Sequence, residues 1–166
     1  MSHVKIGMMA KSGTQWVGSS SLRWSDIEHD IRILTKKVKD TGFEFDKIAT
    51  VSRGGLIPAR LMADQFNIKT ILVDKRHVPP NTLFVDDIYD SGKTFKNIIS
   101  RTKTPRIFLY ATLVARKGTK YPKQLEYARK TKGREYVIFP WEKKEQRQKS
   151  YKISDKNTPY RKPKNN

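Results

Sequence analysis

The 166-residue sequence contains no cysteine, so it has neither disulfide bonds nor thiolate ligands for a metal. It also has no apolar run near the roughly 18 residues that a membrane-spanning helix needs, and its first residues lack the apolar stretch of a secretion signal. His3, His29 and His77 are far apart in the sequence, which argues against a zinc site. These absences predict a cytoplasmic protein that does not contact membranes.

Acidic residues are scarce relative to basic ones. Against 35 Lys and Arg there are 16 Asp and Glu, which gives a formal net charge of +19. Such a charge favours anionic partners, although a role in solubility alone is equally compatible with it. The length fits one domain with terminal extensions. We predict an N-terminal arm at residues 1–22, a folded domain at 23–142, and a basic, disordered tail at 143–166 through which nucleic acid could bind.

The most informative stretch is residues 83–95, which predicts a buried strand, a polar loop and a helix. The apolar strand ends in two acids, Asp86 and Asp87, and apolar residues return at helical spacing from Phe95. Because the loop lies at a helix N-terminus, its backbone N–H groups and hydroxyls can converge on one phosphate group. The residues predicted to form this phosphate site are Ser91, Gly92, Lys93 and Thr94.

The two acids need a separate explanation, because carboxylates so close to a phosphate site would repel the anion. Ribose hydroxyls or a Mg²⁺ ion would resolve this conflict. A ligand with a phosphate, a sugar and a metal-bound second phosphate group therefore fits better than a phosphate alone. A nucleoside triphosphatase P-loop is excluded, because Asp87 stands where that loop needs its first glycine.

A second loop of similar kind precedes this stretch. Residues 48–51 predict a short strand, and Ser52, Arg53, Gly54 and Gly55 follow it. The glycine pair permits a tight turn into a helix with Pro58 in its first turn. The backbone N–H groups of this loop and Arg53 could hold a second anion.

Residues 83–95 resemble the phosphoribosyl pyrophosphate (PRPP) motif of type I phosphoribosyltransferases, and residues 52–55 resemble the pyrophosphate loop of that family. The resemblance implies that Asp86 and Asp87 contact the ribose and the Mg²⁺ ion. It also implies that residues 90–94 bind the 5-phosphate and that residues 52–55 bind the pyrophosphate. In this family Asp90 is the candidate for accepting a proton from the base near N7, which makes it the predicted catalytic residue.

The predicted last strand, at residues 135–142, ends in Pro-Trp-Glu and resembles the hood of short xanthine-guanine and hypoxanthine-guanine phosphoribosyltransferases. By this resemblance, Tyr136 would stack on a purine ring and the backbone near Val137 and Ile138 would read its edge. Ile138 stands where the hood sometimes has an acid beside the base, so the resemblance does not select guanine or xanthine.

Two further features concern the reacting centre. By the same resemblance, a basic residue that follows the predicted strand 106–114 would face the exocyclic oxygen of the purine. It is either Arg116 or Lys117, and the sequence does not decide between them. The connection 74–81 is shorter than the lid that usually closes over the reacting centre in this family.

The alternation of strands and helices from residue 25 to residue 141 predicts an α/β protein. We expect a Rossmann-like, mainly parallel sheet with helices on both faces and a small C-terminal hood. The pattern places a helix from a capping box at residues 25–28 to about Lys39. It also indicates a partly helical segment around residues 124–129.

These features predict an enzyme of nucleotide salvage that transfers the 5-phosphoribosyl group from PRPP to a 6-oxopurine base, with Mg²⁺ as cofactor. An alternative is a non-catalytic or regulatory protein of the same fold that binds nucleotide and RNA. The resemblance also implies a homo-oligomer. The sequence leaves open which base is the acceptor.

Overall fold

The computed structural model describes residues 18–142, so most of the predicted arm and the whole predicted tail lie outside the described residues. The strands are β1 (Ser19–Ser21), β2 (Lys47–Thr50), β3 (Ile71–Val73), β4 (Thr82–Tyr89), β5 (Leu109–Ala115), β6 (Leu125–Lys130) and β7 (Tyr136–Ile138). The helices are α1 (Trp24–Asp40), α2 (Leu56–Phe66) and α3 (Lys93–Ile99), with a short 3-10 helix at Pro105–Ile107.

Five strands form one sheet in the order β3-β2-β4-β5-β6, and every neighbouring pair is parallel. The central strand β4 pairs with β2 through Ile48 and Leu83, and with β5 through Leu83 and Leu109. Because the strands are parallel, the loops that follow β2, β4 and β5 all lie at one edge of the sheet. The predicted α/β fold with a mainly parallel sheet is therefore confirmed.

Helices cover both faces of the sheet, as predicted. Along β4, Leu83 and Val85 belong to the core that includes α1 and α2, whereas Phe84 points to the opposite core. In that opposite core Phe95 and Ile98 of α3 join Phe84. The alternation along β4 thus sets which helices lie on each side of the strand that contains the two acids.

The hood is a two-stranded parallel sheet of β1 and β7, in which Ser20 pairs with Val137. The backbone N–H of Leu22 extends the pairing by donating to the Ile138 carbonyl over 2.8 Å. Val137 and Phe139 are buried in the same core as α1 and α2, which fixes the hood to that face of the sheet. Residues 19–21, at the end of the predicted arm, therefore form part of the hood.

Two local predictions are wrong. Residues 125–130 form strand β6 rather than a helix, because the free edge of β5 pairs with them, for example through Thr112 and Tyr127. Helix α1 begins at Trp24, and the backbone N–H of Arg23 donates to the Asp26 carboxylate over 2.8 Å. The cap is therefore two residues earlier than predicted, with Asp26 in the accepting role.

Strand β4 is longer than expected and runs through the two acids to Tyr89. The connection between β3 and β4 is short, as the sequence indicated. It packs against the end of α3, where the buried Val78 forms a bridge with Thr102. No helix in the described part of the chain is long and apolar enough to cross a bilayer.

Candidate active site

A cavity of about 350 Å³ opens at the edge of the sheet where β2 and β4 end. The sequence-predicted site residues that line it are Ser52, Gly54, Asp86, Asp87, Asp90, Ser91, Gly92, Lys93 and Thr94. Those that do not line it are Arg53, Gly55, Arg116, Lys117, Tyr136, Val137 and Ile138. The structure therefore brings together the two loops predicted to bind phosphate groups, with the acid pair between them.

The loop after β2 is tied to the end of β3. The Ser52 backbone N–H donates to Asp74 over 2.9 Å, and the Ser52 hydroxyl donates to the other carboxylate oxygen of Asp74. These hydrogen bonds from Ser52 lower the pKa of Asp74. The Ser52–Arg53 peptide bond is cis. Sequence reasoning placed Asp74 in a connecting loop and missed its contact with Ser52, because the two residues are 22 positions apart.

Glycine is required at both positions of the glycine pair. A Cβ atom on Gly54 would overlap the Asp87 carboxylate, since it would lie 2.7 Å from Asp87 Cγ. A Cβ atom on Gly55 would overlap the Thr50 hydroxyl and would lie 3.1 Å from the carbonyl oxygens of Val51 and Val85. The loop after β2 therefore lies directly against β4 and its acids.

Asp86 and Asp87 are held in different ways. Asp86 is buried, and its carboxylate accepts hydrogen bonds from the Tyr110 hydroxyl over 2.7 Å and from the Asp87 backbone N–H over 2.9 Å. Burial raises the pKa of Asp86. Asp87 accepts from the Ile88 N–H over 2.7 Å. Burial, together with the charge of Asp86, raises the pKa of Asp87 to about 8. A cation or a hydrogen-bond donor from a ligand would relieve this unfavourable pairing.

The loop after β4 begins with the exposed Asp90 and Ser91. Gly92 has a φ of 76°, and a Cβ atom there would lie 2.6 Å from the Tyr89 hydroxyl oxygen. Lys93 and Thr94 start α3 with exposed side chains. The hydroxyls of Ser91 and Thr94 and the Lys93 ammonium group are thus gathered at the cavity without being buried in the core.

Arg116, at the end of β5, reaches Asp90. Its side chain is 8% exposed, and its Nε lies 3.0 Å from Asp90 Oδ1. Its Nη1 donates to the backbone carbonyl of Glu135, directly before β7. Lys117 is exposed, and its backbone N–H donates to the Thr131 hydroxyl over 2.9 Å. Of the two basic residues singled out in the sequence, Arg116 is therefore the one that contacts a residue of the cavity.

The hood residues Tyr136, Val137 and Ile138 lie beyond the cavity lining. Tyr136 is 36% exposed, whereas Val137 is buried in the core. The Tyr136 N–H and the Ile138 carbonyl bond to the β1 side of the hood. Because successive peptide groups of a strand point to opposite edges, the N–H and carbonyl of Val137 are directed to the other edge of β7.

Two cavity residues had no place in the sequence prediction. Tyr110 lies on β5 and donates to Asp86, and Glu142 lines the cavity from the end of the hood. The charge of Glu142 is a smaller cause of the raised pKa of Asp87. The Pro-Trp-Glu ending contained Glu142, but only the fold brings it to the acid pair. Within residues 18–142, no cluster of three or more His, Cys, Asp or Glu side chains is arranged to hold a metal ion.

Comparisons with known proteins agree with this geometry. The xanthine-guanine phosphoribosyltransferase of Gluconobacter oxydans is 27% identical over 157 residues, which are 81% of this chain and 91% of that protein. The purine phosphoribosyltransferase structure from Pyrococcus horikoshii has a TM-score of 0.61 at 23% identity and covers 74% of this chain and 93% of its own. The Helicobacter pylori xanthine-guanine-hypoxanthine phosphoribosyltransferase structure has a TM-score of 0.64 at 18% identity and covers 80% of this chain and 99% of its own. No family model matches the chain.

The five-stranded parallel sheet, with the loops after β2 and β4 at one edge, is the type I phosphoribosyltransferase fold. Within that class, the chain is similar in sequence to the xanthine-guanine phosphoribosyltransferases. The predicted resemblance is therefore confirmed, and the relatives that carry it are named as transferase enzymes, the class that the sequence predicted.

Proposed function

We propose that this protein transfers the 5-phosphoribosyl group from PRPP to a ring nitrogen of a 6-oxopurine base, giving a nucleoside monophosphate and pyrophosphate. The observation that carries the proposal is the meeting of the two loops around Asp86 and Asp87 in one cavity. One ligand with a phosphate, a ribose and a pyrophosphate would occupy all three parts of this cavity. The names of the relatives support the same chemistry.

Each part of the cavity has one part of PRPP to bind. Residues 90–94 would bind the 5-phosphate through the backbone, the Ser91 and Thr94 hydroxyls and the Lys93 charge. Asp86 and Asp87 would accept hydrogen bonds from the ribose hydroxyls. Residues 52–55, which include Arg53 and Gly55 behind the lining residue Gly54, would bind the pyrophosphate through backbone N–H groups. The tie between Ser52 and Asp74 would hold this loop in place before the ligand arrives.

The acid pair fits a Mg²⁺ ion that arrives with the substrate. Two carboxylates do not make a complete metal site, but Mg²⁺ commonly uses one or two carboxylates together with substrate phosphates and water. Burial of Asp87 beside Asp86 raises its pKa, which supports a positive charge beside the pair. Asp86 and Asp87 are the residues that would hold the ion, which would neutralise charge on the leaving pyrophosphate.

The transfer breaks the bond between the anomeric carbon and pyrophosphate and forms a bond from that carbon to the purine nitrogen. The nitrogen loses its proton, and Asp90 would accept it at a carboxylate oxygen near N7. Positive charge develops on the sugar as pyrophosphate leaves, so the carboxylates below the ribose would stabilise the transition state.

The hood would bind the base. Tyr136 would stack on the purine ring. The N–H and carbonyl of Val137, which point away from β1, would hydrogen-bond to the edge of the ring together with backbone groups next to Ile138. Arg116, rather than the exposed Lys117, is the basic residue on the cavity side. Ile138 provides no carboxylate for an exocyclic amine, so hypoxanthine is an acceptor to test beside guanine and xanthine.

The regulatory alternative, a non-catalytic protein that binds nucleotide and RNA, has weaker support. Its case rests on the net charge of +19 and the short 74–81 connection, whereas nine of the eleven residues predicted to bind PRPP line the cavity. We further propose a cytoplasmic location and a homo-oligomeric state. Binding of nucleic acid by the tail at residues 143–166 also remains a proposal.

The test is to incubate the purified protein with Mg²⁺, PRPP and each of hypoxanthine, guanine, xanthine and adenine, and to follow nucleotide formation. We expect turnover with at least one 6-oxopurine and loss of turnover in Asp90→Asn. Asp64→Asn is the matched control, since Asp64 is an exposed acid of α2 that pairs with Arg60. Binding of PRPP without turnover on any base would contradict the enzyme and favour the regulatory alternative.

A further inference from the structure

Arg116 bonds to two parts of the site, the loop after β4 and the start of the hood. Its Nε bonds to Asp90 of the loop after β4, and its Nη1 bonds to the carbonyl of Glu135 at the start of the hood. The residue itself is firmly held, because its N–H donates to the Tyr89 carbonyl over 2.8 Å and its carbonyl accepts from the Tyr121 hydroxyl over 2.7 Å. The guanidinium group is therefore a fixed connection between loop and hood.

We propose that Arg116 is a positioning residue that couples Asp90 to the hood. It would fix the position of the Asp90 carboxylate, the acid-base group, relative to Tyr136, which stacks on the base. This inference rests on the proposed function for the meaning of Asp90 and Tyr136. It differs from the expected role of a basic residue here, which was to face the exocyclic oxygen of the base. Arg116 acts through Asp90 and the hood backbone.

The chemistry of the side chain explains why arginine suits this position. The guanidinium group is planar and presents several N–H donors in fixed directions, so one side chain can bond to a carboxylate and a carbonyl at once. A lysine ammonium on a flexible stem would satisfy one partner at the expense of the other. Since Arg116 is almost fully buried, its charge also needs Asp90 as a counterion.

The coupling makes the hood sensitive to the charge on Asp90. When Asp90 accepts the proton of the base, its negative charge is lost and the charge-assisted bond to Arg116 weakens. The hood then loses part of its attachment to the loop in the state that contains product. Asp90→Asn reproduces this neutral state in a form that can be studied without substrate.

The first experiment is a double-mutant cycle read by backbone amide chemical shifts, with Asp90→Asn, Arg116→Gln and the double variant. We expect Asp90→Asn to shift the Glu135 and Tyr136 amides when Arg116 is present and to leave them unchanged when it is replaced. Equal shifts in both backgrounds, or no shift in either, would overturn the proposal. If Arg116→Gln does not fold, Arg116→Lys takes its place in the cycle, because it keeps the buried charge.

The second experiment measures kinetics on the acceptor base. Arg116→Gln should lower kcat and raise KM for the base, together about tenfold or more in kcat/KM, with little change in KM for PRPP. In the Asp90→Asn background the same change should cost about threefold or less. Lys123→Gln, an exposed residue before β6, is the matched control. A rise in KM for PRPP as large as that for the base would point to general damage and contradict the specific role.

The two experiments separate the two claims. If the unmodified protein has no transferase activity, the proposed function fails, and the amide shifts still decide whether Arg116 connects Asp90 to the hood. If activity is present but the amide shifts caused by Asp90→Asn and Arg116→Gln are additive, the proposed function stands and the coupling by Arg116 is wrong.

Discussion

The cavity has two sides, and the chain builds them in different ways. The sheet side consists of two continuous segments. Residues 52–55 follow strand β2, and residues 86–94 include the end of β4, the loop after it and the start of α3. The hood side is assembled from Arg116, β1 paired with β7, and Glu142. Of these, Glu142 lines the cavity and the others lie beyond that lining. A contiguous loop keeps its chemistry within a few residues, so its pattern is visible in the sequence. A side assembled from distant segments becomes visible only when the fold is known.

The largest expected effect lies on the sheet side. Gly54→Ala would place a methyl group against the Asp87 carboxylate, so the two loops would have to separate. We expect a decrease of about 100-fold or more in kcat/KM for PRPP, because a displacement of about 1 Å at a reacting centre commonly costs that much. Gly133→Ala is the matched control, since its added Cβ would be 3.9 Å from its nearest neighbour. A Gly54→Ala enzyme with normal activity would show that the close approach of the loops is not needed.

The second prediction concerns the acid pair and pH. Between about pH 4 and pH 8 the unfolded chain has lost the Asp87 proton, whereas the folded protein retains it because its pKa is raised to about 8. The free energy of unfolding without ligand should therefore fall as pH rises through this range.

Asp87→Asn should reduce this slope and raise the free energy of unfolding at pH 8, by on the order of 2 kcal/mol after allowance for solvent at the partly buried side chain. Urea unfolding at several pH values measures this free energy, and Asp46→Asn, which replaces an exposed acid, is the control. If the free energy of unfolding had the same pH dependence in the unmodified protein and in Asp87→Asn, Asp87 would be ionised in the folded state.

A smaller effect is expected on the hood side. Tyr136→Ala should raise KM for the base about tenfold and leave KM for PRPP nearly unchanged, because an aromatic stack on a base contributes about 1–3 kcal/mol. Tyr136→Phe keeps the ring and should retain base binding. Steady-state kinetics in both substrates separates the outcomes. A larger effect on PRPP than on the base would remove the distinction between the two sides of the cavity.

The smallest effect should come from Glu142, where the hood reaches the sheet side. Its charge is one of the lesser causes of the raised pKa of Asp87, so Glu142→Gln should lower that pKa slightly. Carboxyl carbon shifts of Asp87 followed by NMR titration would measure the change. A pKa that rises instead would show that Glu142 helps Asp87 to ionise through another contact.

The sequence was sufficient for the features that depend on neighbouring residues. The strand with its two acids, the glycine pair and the parallel α/β order followed from periodicity and from loop residues, and the structure brings these loops together. The predicted helix at residues 124–129 failed because pairing with β5 outweighs the local pattern. Hydrogen bonds across long separations, such as Tyr110 to Asp86 and Ser52 to Asp74, left no local signal.

The same reasoning explains the cap of α1. A serine followed by a glutamate three residues later matches a common pattern, but the Asp26 carboxylate accepts the Arg23 N–H instead. The two alternatives differ by two residues, and Ile27 and Leu34 are buried in the core in the helix that forms. Sequence patterns locate such a boundary only approximately.

The short connection between β3 and β4 should affect how easily substrate, product and water reach the reaction centre. Val78 is buried against α3 and anchors residues 74–81 near their middle, so we expect this short segment not to reach over the reaction centre. Donor and product would then enter and leave without waiting for a slow segmental movement. Water would share that freedom, so the enzyme should consume some PRPP by hydrolysis when no purine is present, a leak that a closing segment would prevent.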